Sequence, residues 1–196
     1  MSTKTNYRGL TVADAQDRPH LGGNIKEGDP FTFCPRLWCY LIERFCINSV
    51  LDLGSGVGHA AEFFFRKGIR TTAVDGLVEN LNASLYPTIF HDLTKAPIVT
   101  KVDLVHCQEV VEHIEEKYLD NLLSSLSCGR VIFMTHALPE QTGFHHVNLQ
   151  PMEYWVNALT ARGYNLMAED TNRVREIALQ EGALYAHNSG LIFHRR

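Results

Sequence analysis

The stretch "QEVVEHIEE" places Glu109, Glu112 and His113 at positions i, i+3 and i+4. On a helical turn that spacing brings two carboxylates and an imidazole onto one face. A second stretch, "THALPEQTGFHHVNLQP", supplies His136, His145 and His146. Two chemistries suit such a set. Glu109, Glu112, His113 and one of His145 or His146 offer the oxygen and nitrogen ligands that magnesium, manganese or zinc accept. Alternatively, one carboxylate caps backbone and His113 or His146 takes a proton from a substrate, because an unperturbed imidazole titrates near neutrality. A purely structural role for both His145 and His146 is a third reading. Proton transfer by His113 or His146 is the expectation, since the sequence carries no independent metal signature such as a C-x-x-C pair. Gln108 and Asn148 are the candidate orienting groups.

A glycine turn lies upstream, in "SVLDLGSGVGHAAEFFF", with Gly54, Gly56 and Gly58 alternating. The dinucleotide fingerprint needs its third glycine at position 59, where it allows close helix-to-strand packing, and this chain has His59 there. A nicotinamide or flavin site is therefore disfavoured. Asp52, just before the turn, is an awkward neighbour for a pyrophosphate and a good one for a cationic amino-acid group. Asp75 ends the next apolar run, where a carboxylate can accept both hydroxyls of a ribose. In "IFHDLT", Asp92 follows a third run and is placed to read a purine amino group.

These residues must be carried by a scaffold that gathers them. Short apolar runs near 49–53, 69–74, 88–91, 102–107, 130–135, 164–168 and 190–194 alternate with helical patterns. That alternation predicts an α/β fold, a Rossmann-like, mostly parallel sheet with helices on both faces. Ligands in such sheets bind at the carboxyl edge. Ile114, Tyr118, Leu119, Leu122, Leu123 and Leu126 fall on one helical stripe and are read as core. Another helix is expected from Pro151, as a first-turn residue, to Gly163, with Trp155, Ala158 and Leu159 inward. A helix over about 35–45 precedes the sheet, and Gly22 and Gly23 mark either a flap or a surface turn. The expected organisation is one domain, with 1–47 as an N-terminal flap and helix and 48–196 as the core.

Taken in order, "VLDLGSGVG", "AVDG", "FHDLT" and "VDLVHCQEVVEHI" resemble the class I S-adenosylmethionine-dependent methyltransferases. The resemblance covers roughly 49–135 and implies a seven-stranded sheet whose last strand, "GLIFHRR", is reversed. It also implies S-adenosylmethionine as cofactor. The methionine part then lies against Asp52, Gly54, Ser55, Gly56 and Gly58, the ribose at Asp75 and Gly76, and the adenine at Asp92 and Leu93, with Gln108 alongside. The E-x-x-E-H turn ahead of a later histidine is similar to the metal-ligand set of small-RNA 2′-O-methyltransferases, although metal-free relatives carry very similar turns. Over nearly the whole chain, including "HLGGNI", the sequence also looks like small bacterial and viral methyltransferases of unassigned substrate.

The expected reaction is methyl transfer to an oxygen or nitrogen of a small polar acceptor, a sugar being one such molecule. A metal-assisted RNA 2′-O-methyltransferase is the runner-up, and a noncatalytic S-adenosylmethionine-binding partner subunit is the alternative of another class. Composition bears on the choice. In a chain of 196 residues, 22 acidic residues outnumber 18 basic ones, with no dense basic block, which disfavours RNA and membrane surfaces as partners. No signal-like or membrane-spanning run is present, so a cytoplasmic protein is expected. The five cysteines read as free thiols.

Overall fold

The computed structural model describes residues 5–7, 10–14, 19–25, 27–141, 143 and 145–196. Three short strands, β1 (Thr5–Tyr7), β2 (Leu10–Asp14) and β3 (Gly23–Ile25), form a small antiparallel sheet. Its strands have no counterpart among the apolar runs read above. Helix α1 (Pro35–Phe45) then leads into the main alternation. That alternation runs β4 (Ser49–Leu53), α2 (His59–Arg66), β5 (Arg70–Asp75), α3 (Val78–Ala83), β6 (Thr88–Phe90) and β7 (Val102–Cys107). It continues through α4 (Leu119–Leu126), β8 (Gly129–Met134), α5 (Met152–Ala161) and β9 (Tyr164–Leu166), and closes with α6 (Ala168–Glu181), α7 (Leu184–Ser189) and β10 (Leu191–Arg195).

The main sheet has the order β6-β5-β4-β7-β8-β10-β9. Strands β4 to β8 are parallel, and β10 runs antiparallel to both β8 and β9. All seven expected strands are therefore present, and the C-terminal one is reversed.

Alternating side chains divide the core in two, as the period of a strand requires. Val50, Leu104, Val131, Phe133 and Ile192 face one layer, with Leu37, Trp38 and Leu41 of α1, Phe64 of α2 and Val174 of α6. Leu51, Leu53, Val105, Ile132 and Phe193 face the other, with Leu122 and Leu126 of α4 and Trp155 and Leu159 of α5.

Two helix expectations need correction. The stripe from Ile114 to Leu126 is core as read, but it is not one helix: 3-10 turns at Val111–His113 and Glu116–Tyr118 precede α4. The cause is tertiary hydrogen bonding. The N–H groups of Val147 and Asn148 donate to the Glu112 carbonyl at 2.9 and 3.0 Å, and Asn148 Nδ2 donates to the Ile114 carbonyl at 3.1 Å. Those carbonyls are unavailable to continuing helical N–H groups, and the backbone at Ile114 is extended. Pro151 lies one residue outside α5, at ψ 162°, and its carbonyl accepts from the Tyr154 N–H.

Candidate active site

The sheet order sets the site. Reading along the carboxyl edge, Asp92 follows β6, Asp75 ends β5, the glycine turn follows β4, Gln108 to His113 follow β7, and the loop bearing His146 follows β8. Adjacent strands lie about 4.8 Å apart, so residues scattered through the sequence come to share one rim. They border a cavity of about 260 Å³.

The glycine turn is shaped by backbone need. Gly54, Gly56 and Gly58 have φ of 73°, 55° and 85°, in the left-handed region that side chains resist. A Cβ at Gly54 would lie 2.3 Å from Val110 Cγ2, and one at Gly58 would lie 2.7 Å from Ser84 Oγ. At Gly56 it would meet nothing within 4 Å, although the residue borders the cavity. The first and third glycines thus permit packing, and the middle one leaves open space. Gly58 caps α2, and its missing Cβ makes room for Ser84 and Tyr86.

Asp75 Oδ2 accepts from the Gly56 N–H at 2.8 Å, while Oδ1 accepts from the Leu77 N–H at 2.8 Å and from Asn80 Nδ2 at 3.1 Å. Burial pushes its pKa up, against the pull of these donors. Asp75 therefore braces the glycine turn, besides lining the cavity. Asp92 is held by the Thr94 N–H and hydroxyl at 2.9 and 2.7 Å, and His20 Nε2 lies 3.1 Å from its other oxygen. Burial alone would raise the Asp92 pKa, but these partners outweigh it and the net shift is downward. Leu93 is buried beside it, and Gln108 borders the cavity with Nε2 unpartnered. Gly76 admits the N-terminal segment, since a Cβ there would sit 2.5 Å from Leu21 Cδ2.

Beneath the turn lies a group that sequence reading missed. Asp52 and His106 are register partners on β4 and β7, both buried, with His106 Nδ1 2.7 Å from Asp52 Oδ1. Trp38 Nε1 of α1 donates to His106 Nε2 at 3.2 Å. Strand alternation on "VDLVHC" puts His106 on the same face as Leu104, toward α1, which was the only available signal.

The histidine cluster forms, in altered membership. His113 Nδ1 lies 3.1 Å from the His145 carbonyl, and His146 Nδ1 lies 3.2 Å from the Gln141 carbonyl. Carbonyls only accept, so both rings carry the proton on Nδ1 and leave Nε2 bare. The two rings sit 5.2 Å apart at 74°. One ligand atom each from Glu112, His113 and His146 fall within 4.8 Å of one another. Burial, then the neighbouring His146, lowers the His113 pKa to about 4, and burial lowers that of His146 as well.

Glu109 does not share a helical face with Glu112 and His113. It lies before the 3-10 turn at φ 57°, its N–H bonded to Thr135 Oγ1 and its carboxylate accepting from the same hydroxyl, each at 2.8 Å. His136 is also outside the cluster, buried at 6.4 Å from the Trp155 ring with Nδ1 on the Ala137 carbonyl. Asn148 holds the backbone of the 112–114 turn and does not border the cavity.

Electrostatics narrow the ligand. Asp29, Asp52, Asp75, Asp92 and Glu109 border the cavity and, among the described residues, no lysine or arginine does. Such a wall repels phosphates and attracts a cation. A sulfonium donor with an amino-acid tail has the charge that such a wall attracts. Behind the histidines, Glu112 is fully buried and, apart from the Glu109 carboxylate beside it, neither of its oxygens has a partner. Burial, reinforced by Glu109, pushes its pKa well up. A buried carboxylate without donors and two carbonyl-anchored imidazoles with bare Nε2 atoms also fit a divalent cation.

Sheet order and the reversed strand are those of the class I methyltransferase fold. The Methyltransferase domain family matches residues 21–172, and the chain belongs to that family. It is an S-adenosylmethionine-dependent methyltransferase domain. A curated relative, the mitochondrial ubiquinone biosynthesis O-methyltransferase of Schizosaccharomyces pombe, is 32% identical over 110 residues, covering 47% of this chain and 40% of the relative. The chain thus spans well under half the length of that relative. Among solved structures, a Galdieria sulphuraria protein assigned as a sarcosine dimethylglycine methyltransferase superposes with a TM-score of 0.59 at 14% identity, covering 90% of this chain and 89% of that one. The magnesium protoporphyrin IX methyltransferase of Synechocystis PCC 6803, bound to S-adenosylhomocysteine, gives 0.56 at 16% identity, covering 67% and 71%. These likenesses concern the fold.

Proposed function

We propose that the chain methylates an oxygen or nitrogen of a small polar acceptor, a sugar hydroxyl being one such group, at the β7–β8 end of the donor cavity. The observation that carries this reading is the pair of bare Nε2 atoms of His113 and His146. S-adenosylmethionine supplies a methyl on a sulfonium that departs as a neutral thioether, so the protein's tasks are alignment and proton removal. An acceptor lone pair forms the new bond to the methyl carbon, the carbon–sulfur pair returns to sulfur, and the acceptor proton passes to His146 or His113 Nε2. Burial lowers the pKa of both rings, that of His113 to about 4. The relative's name supports an oxygen acceptor. The acidic cavity wall speaks against RNA, whose binding depends on Lys and Arg at phosphates.

A second reading rests on Glu112. With His113 and His146 it would hold a divalent cation, which would act as a Lewis acid on an acceptor oxygen. A cytoplasmic setting accords with the five free cysteines, and among the described residues no helix is long and apolar enough to cross a membrane.

The test is a labelled-methyl screen of sugars, phenols, nucleosides and short RNAs, each run with chelator and with manganese. The reading expects label in a small hydroxyl or amine acceptor despite chelator. Label only with manganese selects the metal reading. Label confined to RNA contradicts the small acceptor, and donor binding without label in any acceptor favours a noncatalytic subunit.

A further inference from the structure

Trp38, His106 and Asp52 form a buried chain that none of the methyl-transfer steps uses. The indole N–H can only donate, so His106 Nε2, 3.2 Å from it, must accept and carries no proton. The ring's single proton then sits on Nδ1 and is donated to Asp52 Oδ1 at 2.7 Å. Phe64 and Phe133 pack on the same imidazole, with ring centroids at 5.7 and 5.4 Å, and fix its plane. The result is an imidazole held in one tautomer, with its Nδ1–H on the carboxylate. Asp52 Oδ2 is buried, has no hydrogen-bond partner and belongs to a residue of the cavity wall. Asp52 makes no ion pair with lysine or arginine among the described residues. A buried carboxylate left with one bare oxygen is costly unless a cation completes it.

We propose that Trp38 and His106 are positioning residues that hold Asp52 as a singly charged acceptor for the α-ammonium of the donor. Together they make the cavity select adenosyl ligands that carry an amino-acid tail over those that lack one. Were Nε2 open to solvent, the ring could take a second proton or change tautomer. The first would cancel the Asp52 charge, and the second would remove its donor. Trp38 closes both routes from a helix that does not itself belong to the glycine turn. The proposal concerns the donor end of the cavity and stands or falls independently of the acceptor.

The experiment is calorimetric titration of the full chain with S-adenosylhomocysteine, which has the α-ammonium, and with 5′-methylthioadenosine, which lacks the amino-acid tail. His106→Phe should weaken S-adenosylhomocysteine about tenfold or more, as expected for a misplaced charge-assisted bond, and leave methylthioadenosine within about twofold. His106→Gln, which can still donate an amide N–H to Asp52, should recover most of the loss. Should His106→Phe not fold, Trp38→Phe provides the same reading, since it keeps an aromatic ring while removing the pyrrole half of the indole with its N–H. It too should weaken S-adenosylhomocysteine more than methylthioadenosine, the lost ring volume bearing on both ligands alike. Equal weakening of both ligands by the variants would show a merely structural role, and no weakening of either would show that Asp52 needs no positioning; each result overturns the proposal.

Discussion

Glu112 and His113 are adjacent in the chain, and burial moves both toward their neutral forms. The His113 pKa, lowered from 6.5 to about 4, means that the unfolded chain binds more protons than the native one between those values. Stability is therefore lost as pH falls from about 6.5 through about 4, by about 3 kcal/mol in all, and His113→Asn should remove that slope in urea denaturation. Glu112 acts oppositely, because its raised pKa makes the native state bind more protons than the unfolded chain above the ordinary carboxyl value. Stability is then lost as pH rises, so Glu112→Gln in chelator should gain on wild type as pH climbs above the ordinary carboxyl range. If a cation binds Glu112, His113 and His146, manganese should raise the Tm of wild type and leave that of Glu112→Gln unchanged. The lowered histidine pKa values also revise the expected pH profile of activity. A rise centred near 6.5 belongs to an unperturbed base, whereas bases at His113 or His146 predict an acid limb below it. An acid limb at or above 6.5 in chelator would assign proton removal to another group.

Between β4 and α2, the glycine turn joins sequence to site most directly. Gly54→Ala places a methyl 2.3 Å from Val110 Cγ2 at φ 73°, so it should destabilise the fold by roughly 1–3 kcal/mol and weaken donor binding. A variant as stable as wild type by denaturation would show that Val110 yields easily. Asn148→Ala would strip the buried Ile114 carbonyl of its amide partner. A loss of about 1–3 kcal/mol is expected, together with lower turnover from slackened contact between the His113 and His146 loops. Undiminished turnover would separate that loop from catalysis. The strands were legible because each is a short, mostly apolar run, as "VLDL" and "VDLVHC" are. The broken helix at 111–118 was not, because its break is set by N–H groups of Val147 and Asn148 more than thirty residues away in the chain. For the same reason Asp52 was visible beside its glycines, while the Trp38–His106 contact spans 68 residues and left no local mark.

Across the whole molecule, the parallel sheet collects four carboxylates, Asp52, Asp75, Asp92 and Glu109, along one cavity, and the N-terminal segment, which brings Asp29, meets them there. The 3-10 turn Pro19–Leu21 sets His20 on Asp92 and Leu21 against Gly76, while a Cβ at Gly22 would stand 3.5 Å from His113 Nε2. A short segment thus reaches from Asp92 to His113 along the cavity wall. Gly22 was singled out by residue type, but β1 to β3 were not, since their strands are only three to five residues long. The fold, and the gathering of Asp52, Asp75 and Asp92 on one cavity wall, were readable because spacing and strand ends encode them. The Glu112 environment required the packed structure, as burial has no signature in one acidic residue.

The central claim is that this acidic cavity is a site for a cationic adenosyl donor, which calorimetric titration tests most directly. With S-adenosylmethionine, S-adenosylhomocysteine and NADH titrated in turn, the account predicts one saturable site per chain for each adenosyl ligand and no heat of binding for NADH. Asp75→Asn should weaken both adenosyl ligands by about tenfold or more, because its carboxylate serves the Gly56 N–H and faces the cavity. Tight NADH binding with no binding of either adenosyl ligand would contradict the account.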